Sequence, residues 1–147
     1  MPPPRPPVDD AAAAAVFDAF KLAGFFPEFS GELCMKVFPR SGLNEFAEGE
    51  RLLEQGEDGR DLLLLLQGRV SIVQSFGSAA AELATLGPGS VVGEVALLRD
   101  GVRTASAVAM EPARAFRLAF EDVGYVLRHN PALAAHLAAL ARERMGG

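Results

Sequence analysis

Apolar positions along the chain change spacing twice. In the first stretch Val16, Phe17, Phe20 and Leu22 follow an alanine run and form a helical stripe. Asp9 or Asp10 stands where a cap is needed, and Gly24 marks the stop. The aromatic elbow Phe25-Phe26-Pro27-Glu28-Phe29 is expected to plug the core. Ser30 then caps a second short helix through Leu33, Met35, Val37 and Phe38. From Leu43 onward the spacing shortens. Glycines separate the apolar runs Leu52-Leu53, Leu62 to Leu66, Val70 to Val73, Leu83 to Leu86, Val91-Val92, Ala105 to Met110 and Ala115 to Leu118. Short runs punctuated this way predict an all-β sandwich or barrel. Leu62 to Leu66 is too short for a buried helix and reads as a strand covered on both faces. Glu121 and Asp122 then open a helix carrying Val123, Tyr125, Val126 and Leu127, with Tyr125 expected as a core anchor. Asn130-Pro131 starts another helix, whose seam is Leu133, Leu137 and Leu140 and which Gly146-Gly147 stops. The predicted order is helix, helix, seven or eight strands, helix, helix.

Composition narrows the classes. A chain of 147 residues, half apolar and 22% charged, suits a single globular domain over residues 11–147. Residues 1–10 carry five prolines and are expected to form a disordered leader, as a solvated tail or a Pro-rich docking segment. A net charge of −5 argues against general nucleic-acid binding, which needs a basic face to displace counterions. Cys34 is the single cysteine, so no intrachain disulfide can form, and its apolar surroundings predict a buried thiol. With only His129 and His136 beside it, neither a metal site nor a catalytic set is expected. No apolar run approaches ~20 residues and no signal core opens the chain, so the expectation is a cytoplasmic protein with no membrane partner.

Candidate chemistry concentrates in Gly93-Glu94-Val95-Ala96-Leu97-Leu98-Arg99-Asp100-Gly101-Val102-Arg103-Thr104-Ala105-Ser106. An arginine beside backbone N–H groups makes an anion site. A carboxylate nine residues earlier can accept a hydroxyl hydrogen bond. One ligand class that presents both groups close together is a sugar phosphate.

Taken with the blocks Phe46-Ala47-Glu48-Gly49-Glu50, Gln55-Gly56-Glu57-Asp58-Gly59, Gln67-Gly68-Arg69-Val70 and Leu83-Ala84-Thr85-Leu86-Gly87-Pro88-Gly89-Ser90, this stretch resembles the cyclic nucleotide-binding domain family of catabolite activators and protein kinase regulatory subunits. The resemblance runs from about Phe20 to Met145. It implies a mainly β fold with flanking helices, a double-stranded β-helix or jelly-roll-like β-roll over about 43–119. N-terminal helices, a short phosphate-binding-cassette helix and C-terminal helices over about 120–145 would complete it. It further implies that Glu94 accepts the ribose 2′-hydroxyl, that Arg103 pairs with the cyclic phosphate, and that N–H groups near Ala96 and Leu97 reach the same phosphate. Gly93 would permit close approach, Val95 and Ala105 would line the site, and Thr104 would lie beside the phosphate and the base edge. Val92 and Val102 depart from the phenylalanine and proline common in the family, and both changes leave the chemical residues intact. Thr104 does not decide between cAMP and cGMP.

The function so implied is a cyclic nucleotide sensor, not an enzyme, that needs no cofactor and signals by rearranging its C-terminal helices to a protein partner. With no effector segment after the last helix, a stand-alone sensor is expected. The rival is a ligand-independent interaction scaffold on the same fold. Leu140, Arg142 and Arg144 are candidates for a lid over the base, the two arginines equally for a solvated helix end. The Leu133/Leu137/Leu140 seam is a candidate docking face or homodimer contact, or else packs on the roll.

Overall fold

The computed structural model describes residues 7–93 and 101–146, apart from the side chains of Val123, Val126, Leu127 and residues 141–146. Asp9 opens helix α1 (Asp10–Ala19), its carboxylate accepting the Ala12 N–H at 2.7 Å. The expectation of a disordered segment over residues 1–10 does not hold for Val8 to Asp10. Val8 is buried in the core and Asp10 is already helical, while residues 1–6 lie outside the described part.

The stripe does not continue to Gly24 as one helix. Lys21 takes a left-handed conformation (φ 51°) and a 3₁₀ turn, Leu22–Gly24, follows. The break lets Phe20 and Leu22 both reach the core from a chain that has changed direction. Ser30 caps α2 (Gly31–Val37) through its hydroxyl, which accepts the Leu33 N–H. The aromatic elbow packs as expected, with Phe25, Phe26 and Phe29 half-buried against the core, and Cys34 is buried.

Eight strands follow: β1 (Gly42–Phe46), β2 (Arg51–Leu53), β3 (Leu62–Gln67), β4 (Val70–Phe76), β5 (Ala79–Leu86), β6 (Val91–Val92), β7 (Ser106–Ala109) and β8 (Ala113–Leu118). They form two four-stranded antiparallel sheets, β1-β8-β3-β6 and β2-β7-β4-β5. The β4–β5 hairpin is longer than its apolar runs suggest, and β1 has no such run at all. Beyond the sheets lie α3 (Phe120–His129) and α4 (Pro131–Gly146), the latter capped by the Asn130 side chain.

The strand β3 shows how the layers are built. Leu62 and Leu64 face α1, α2 and α4 together with Phe38, Phe116, Leu118, Leu133 and Leu137. Leu63 and Leu65 face the interior between the sheets, with Val70, Val92, Ala107 and Ala115. The leucine run is thus buried on both faces, as its length and composition predict. Leu133 and Leu137 belong to that helical core, which settles the seam as packing against the roll rather than an exposed docking face. Tyr125 is not a core anchor. It is 47% exposed and meets the His129 ring one helical turn along in a tilted pair, centroids 4.3 Å apart.

Candidate functional site

Arg103 stands just before β7, where the chain runs antiparallel to the loop 56–61. The Arg103 N–H donates to the Glu57 carbonyl at 2.9 Å, and the Arg103 carbonyl accepts the Gly56 N–H at 2.9 Å. The Gly59 N–H donates to the Gly101 carbonyl at 2.7 Å, and Asp58 bridges Val102. These bonds fix the backbone from which the guanidinium projects.

The side chain is 7% exposed, and two carbonyls receive it: Gly93 O from Nη1 at 3.1 Å and Asp61 O from Nη2 at 3.0 Å. Burial lowers its pKa from the ordinary value, and the nearby Asp61 carboxylate partly offsets that. Arginine keeps its charge through such a shift.

Two glycines make room for it. Gly93 has φ +95°, and a β-carbon there would lie 2.8 Å from Arg103 Nη1 and 2.9 Å from the Asp61 carbonyl. A β-carbon on Gly59 would lie 3.0 Å from Arg103 Nε and Nη2. The absence of a side chain at Gly93 thus seats the arginine itself.

The guanidinium lies in the wall between two concavities. On one side is a pocket of about 120 Å³, lined by Leu53, Ile72, Leu86, Val92, Gly93 and Thr104 among others. On the other is a polar cleft of about 310 Å³ whose lining sets Glu54, Glu57, Asp58 and Asp61 beside Arg51 and Arg117. Among its described lining residues the apolar pocket offers an anionic group Arg103 and no carboxylate, whereas the cleft sets four carboxylates against its arginines. The apolar walls suit a flat, weakly hydrated ring system.

Of the residues the sequence singles out, the structure brings together Gly93, Arg103, Thr104 and Ala105 around this pocket. The Thr104 side chain is exposed, and its carbonyl accepts the Gln74 side-chain amide at 3.1 Å. Glu94, Val95, Ala96 and Leu97, with the cassette helix, lie outside the described residues, as do the side chains of Arg142 and Arg144. Leu140 is half-buried against the helical core and does not line the pocket. Sequence reasoning assigned no role to Gly59, Asp61 or Ser106. The Ser106 hydroxyl, buried in the pocket wall, accepts the Gln55 N–H at 2.9 Å. The glycine block Gly56 to Gly59 was visible, but what it approaches is a residue more than forty positions away.

The cyclic nucleotide-binding domain family matches residues 43–130. The chain belongs to that family. It is 36% identical over 123 residues to the cyclic AMP receptor protein of Thermus thermophilus, a match covering 83% of this chain and 55% of that protein. It is 32% identical over 97 residues to the acetyltransferase Pat of Mycolicibacterium smegmatis, covering 66% of this chain and 29% of that one. The chain thus spans about half of one curated relative and under a third of the other. Its fold superposes on the crystal structure of a cyclic nucleotide-binding domain from Methylobacillus flagellatus with a TM-score of 0.75, covering 94% of this chain and 80% of that one. At 23% identity that likeness speaks to the fold, a mainly β roll of two antiparallel sheets with flanking helices. No helix among the described residues is long and apolar enough to cross a membrane.

Proposed function

We propose that this domain is a cytoplasmic sensor that binds a cyclic nucleotide, cAMP in preference to cGMP, and passes the event through α3 and α4 to an effector segment or a protein partner. The observation that carries the reading is the placement of Arg103, a buried guanidinium held by two glycines and two carbonyls at the edge of an apolar pocket. A cyclic phosphate would exchange one or both carbonyl partners for a charge-assisted pair, and the base would occupy the apolar wall. Glu94 would accept the ribose hydroxyl, and the N–H groups of Ala96 and Leu97 would complete the phosphate site. Family membership supports those roles. The likeness to a cyclic AMP receptor protein supports the choice of base. A lid made from Leu140, Arg142 and Arg144 would require α4 to leave its packed position, which is the rearrangement the signal needs. The reading is of a regulatory ligand-binding domain without catalysis.

Titration with cAMP and with cGMP tests this. Binding at a hundred times Kd should stabilise the protein by about 2.7 kcal/mol, read as a rise in Tm. Arg103→Ala should weaken binding by roughly 30- to several-thousand-fold. A wild-type Tm unmoved by either nucleotide at millimolar concentration overturns the reading in favour of a ligand-independent scaffold.

A further inference from the structure

One residue touches both the arginine and the start of the C-terminal helices. The Asp61 carbonyl accepts Arg103 Nη2 at 3.0 Å. The carboxylate of the same residue accepts the Phe120 N–H at 2.9 Å through Oδ1, and its Oδ2 accepts Arg117 Nη1 at 2.8 Å. Phe120 is the first residue of α3, so this carboxylate satisfies one of the donors that a helix start leaves open. The adjacent residue makes a parallel link. Arg60 lies over the Phe120 ring at 5.3 Å, and its side chain packs so closely on Gly101 that a β-carbon there would meet Arg60 Nε at 2.8 Å.

We propose that Asp61 is a positioning residue that couples the Arg103 guanidinium to the first turn of α3. The inference rests on the cyclic nucleotide reading and names the route by which that site is heard. The physical reason is short range. When an anion engages Arg103, its bond to the Asp61 carbonyl is loosened or re-aimed. A peptide unit moves as a plane, and the carboxylate carbon is two bonds from the Cα in that plane. The Phe120 and Arg117 bonds are made by that carboxylate alone, so they register the displacement directly. Asp61 thus bonds the Arg103 side chain through its backbone carbonyl and the α3 backbone through its carboxylate. Reciprocity follows. If nucleotide loosens the Phe120 bond by some factor, breaking that bond must alter nucleotide affinity by the same factor.

Amide exchange at Phe120 is the readout, because a merely structural Asp61 would lower overall stability without linking this amide to Arg103. In the ligand-free protein, Arg103→Ala should change Phe120 exchange by about threefold or more while amides of the β4–β5 hairpin stay as they were. With cAMP as the probe, wild type should show a change of about fivefold or more at Phe120. Asp61→Ala should abolish it, and Asp61→Asn, whose amide oxygen can still accept the Phe120 N–H, should restore part of it. A wild-type response retained in Asp61→Ala overturns the proposal. Absence of cAMP binding to wild type overturns the nucleotide reading instead. The ligand-free comparison then decides the coupling by itself, and an unchanged Phe120 amide in Arg103→Ala overturns it. That comparison leaves Asp61 intact, so the test survives a failure of Asp61→Ala to fold.

Discussion

The two sheets do different work with similar strands. The sheet β1-β8-β3-β6 has no wet face at β3. Alternate leucines enter the helical core and the interior of the roll, and Leu64 and Leu65 are fully buried. The sheet β2-β7-β4-β5 turns its β5 edge to solvent, while β7 has no exposed residue. Every residue of β5 before Leu86 is exposed, and Leu83 and Phe76 stand 55% and 60% exposed. The first sheet is a wall packed on both faces, whereas the outer β4–β5 hairpin of the second is a flap held by its ladder and turn. The candidate pocket is lined from both, by Val91 and Val92 on one side and by Ile72, Leu86 and Ala107 on the other.

The contrast has measurable consequences. Leu64→Ala in the wall should cost about 2–5 kcal/mol in denaturant unfolding, because the site is enclosed on both sides and cannot collapse. Leu83→Ser in the flap should stay within about 0.5 kcal/mol. Similar losses at the two positions would break the contrast.

Turn glycines sharpen it. Gly68 carries the chain from the first sheet to the second at φ +88°, and a β-carbon there would lie 2.6 Å from the Pro112 carbonyl oxygen and 2.8 Å from Ala113 Cα. Gly68→Ala should cost about 2–4 kcal/mol, combining left-handed strain with overpacking. Gly77, at the tip of β4–β5, has φ +63° and open space around it, so Gly77→Ala should cost about 1 kcal/mol.

The smallest effect concerns the helical side. Asp9 has its pKa lowered below the ordinary 3.8, chiefly by the Ala12 N–H; desolvation opposes this, and Arg114 adds to the lowering. A depressed carboxylate stabilises above its unfolded pKa and loses that contribution as pH falls through the folded one. The loss therefore belongs below pH 3.8 and should appear as a slight acid-side fall in Tm that Asp9→Ala abolishes.

Legibility followed burial. Leu62 to Leu66, Val91-Val92 and Ala115 to Leu118 were visible because strands covered on both faces, or on one, must be apolar. β1 and the outer half of the β4–β5 hairpin were not, since Asn44, Glu45, Gln74, Ser75 and Glu82 carry no apolar signal when cross-strand bonds alone hold them. Tyr125 misled because an aromatic in a helix was read as core, whereas it lies on the outer face beside His129.

At the site, the spacing from Gly93 to Arg103 and the glycine blocks before them marked the family and the arginine. The sequence by itself determined the alternation of glycine and apolar runs, hence a roll, and Arg103 as the anion-site candidate in it. Only the tertiary structure decided what that cation touches. Asp61 and Gly59 are more than forty residues from Arg103 along the chain, and it is the antiparallel run of loop 56–61 against 101–103 that brings them within hydrogen-bond and contact distance. A carbonyl, which every residue possesses, leaves no trace in composition. Its role as a partner to Arg103 is a matter of backbone position, which long-range pairing alone supplies.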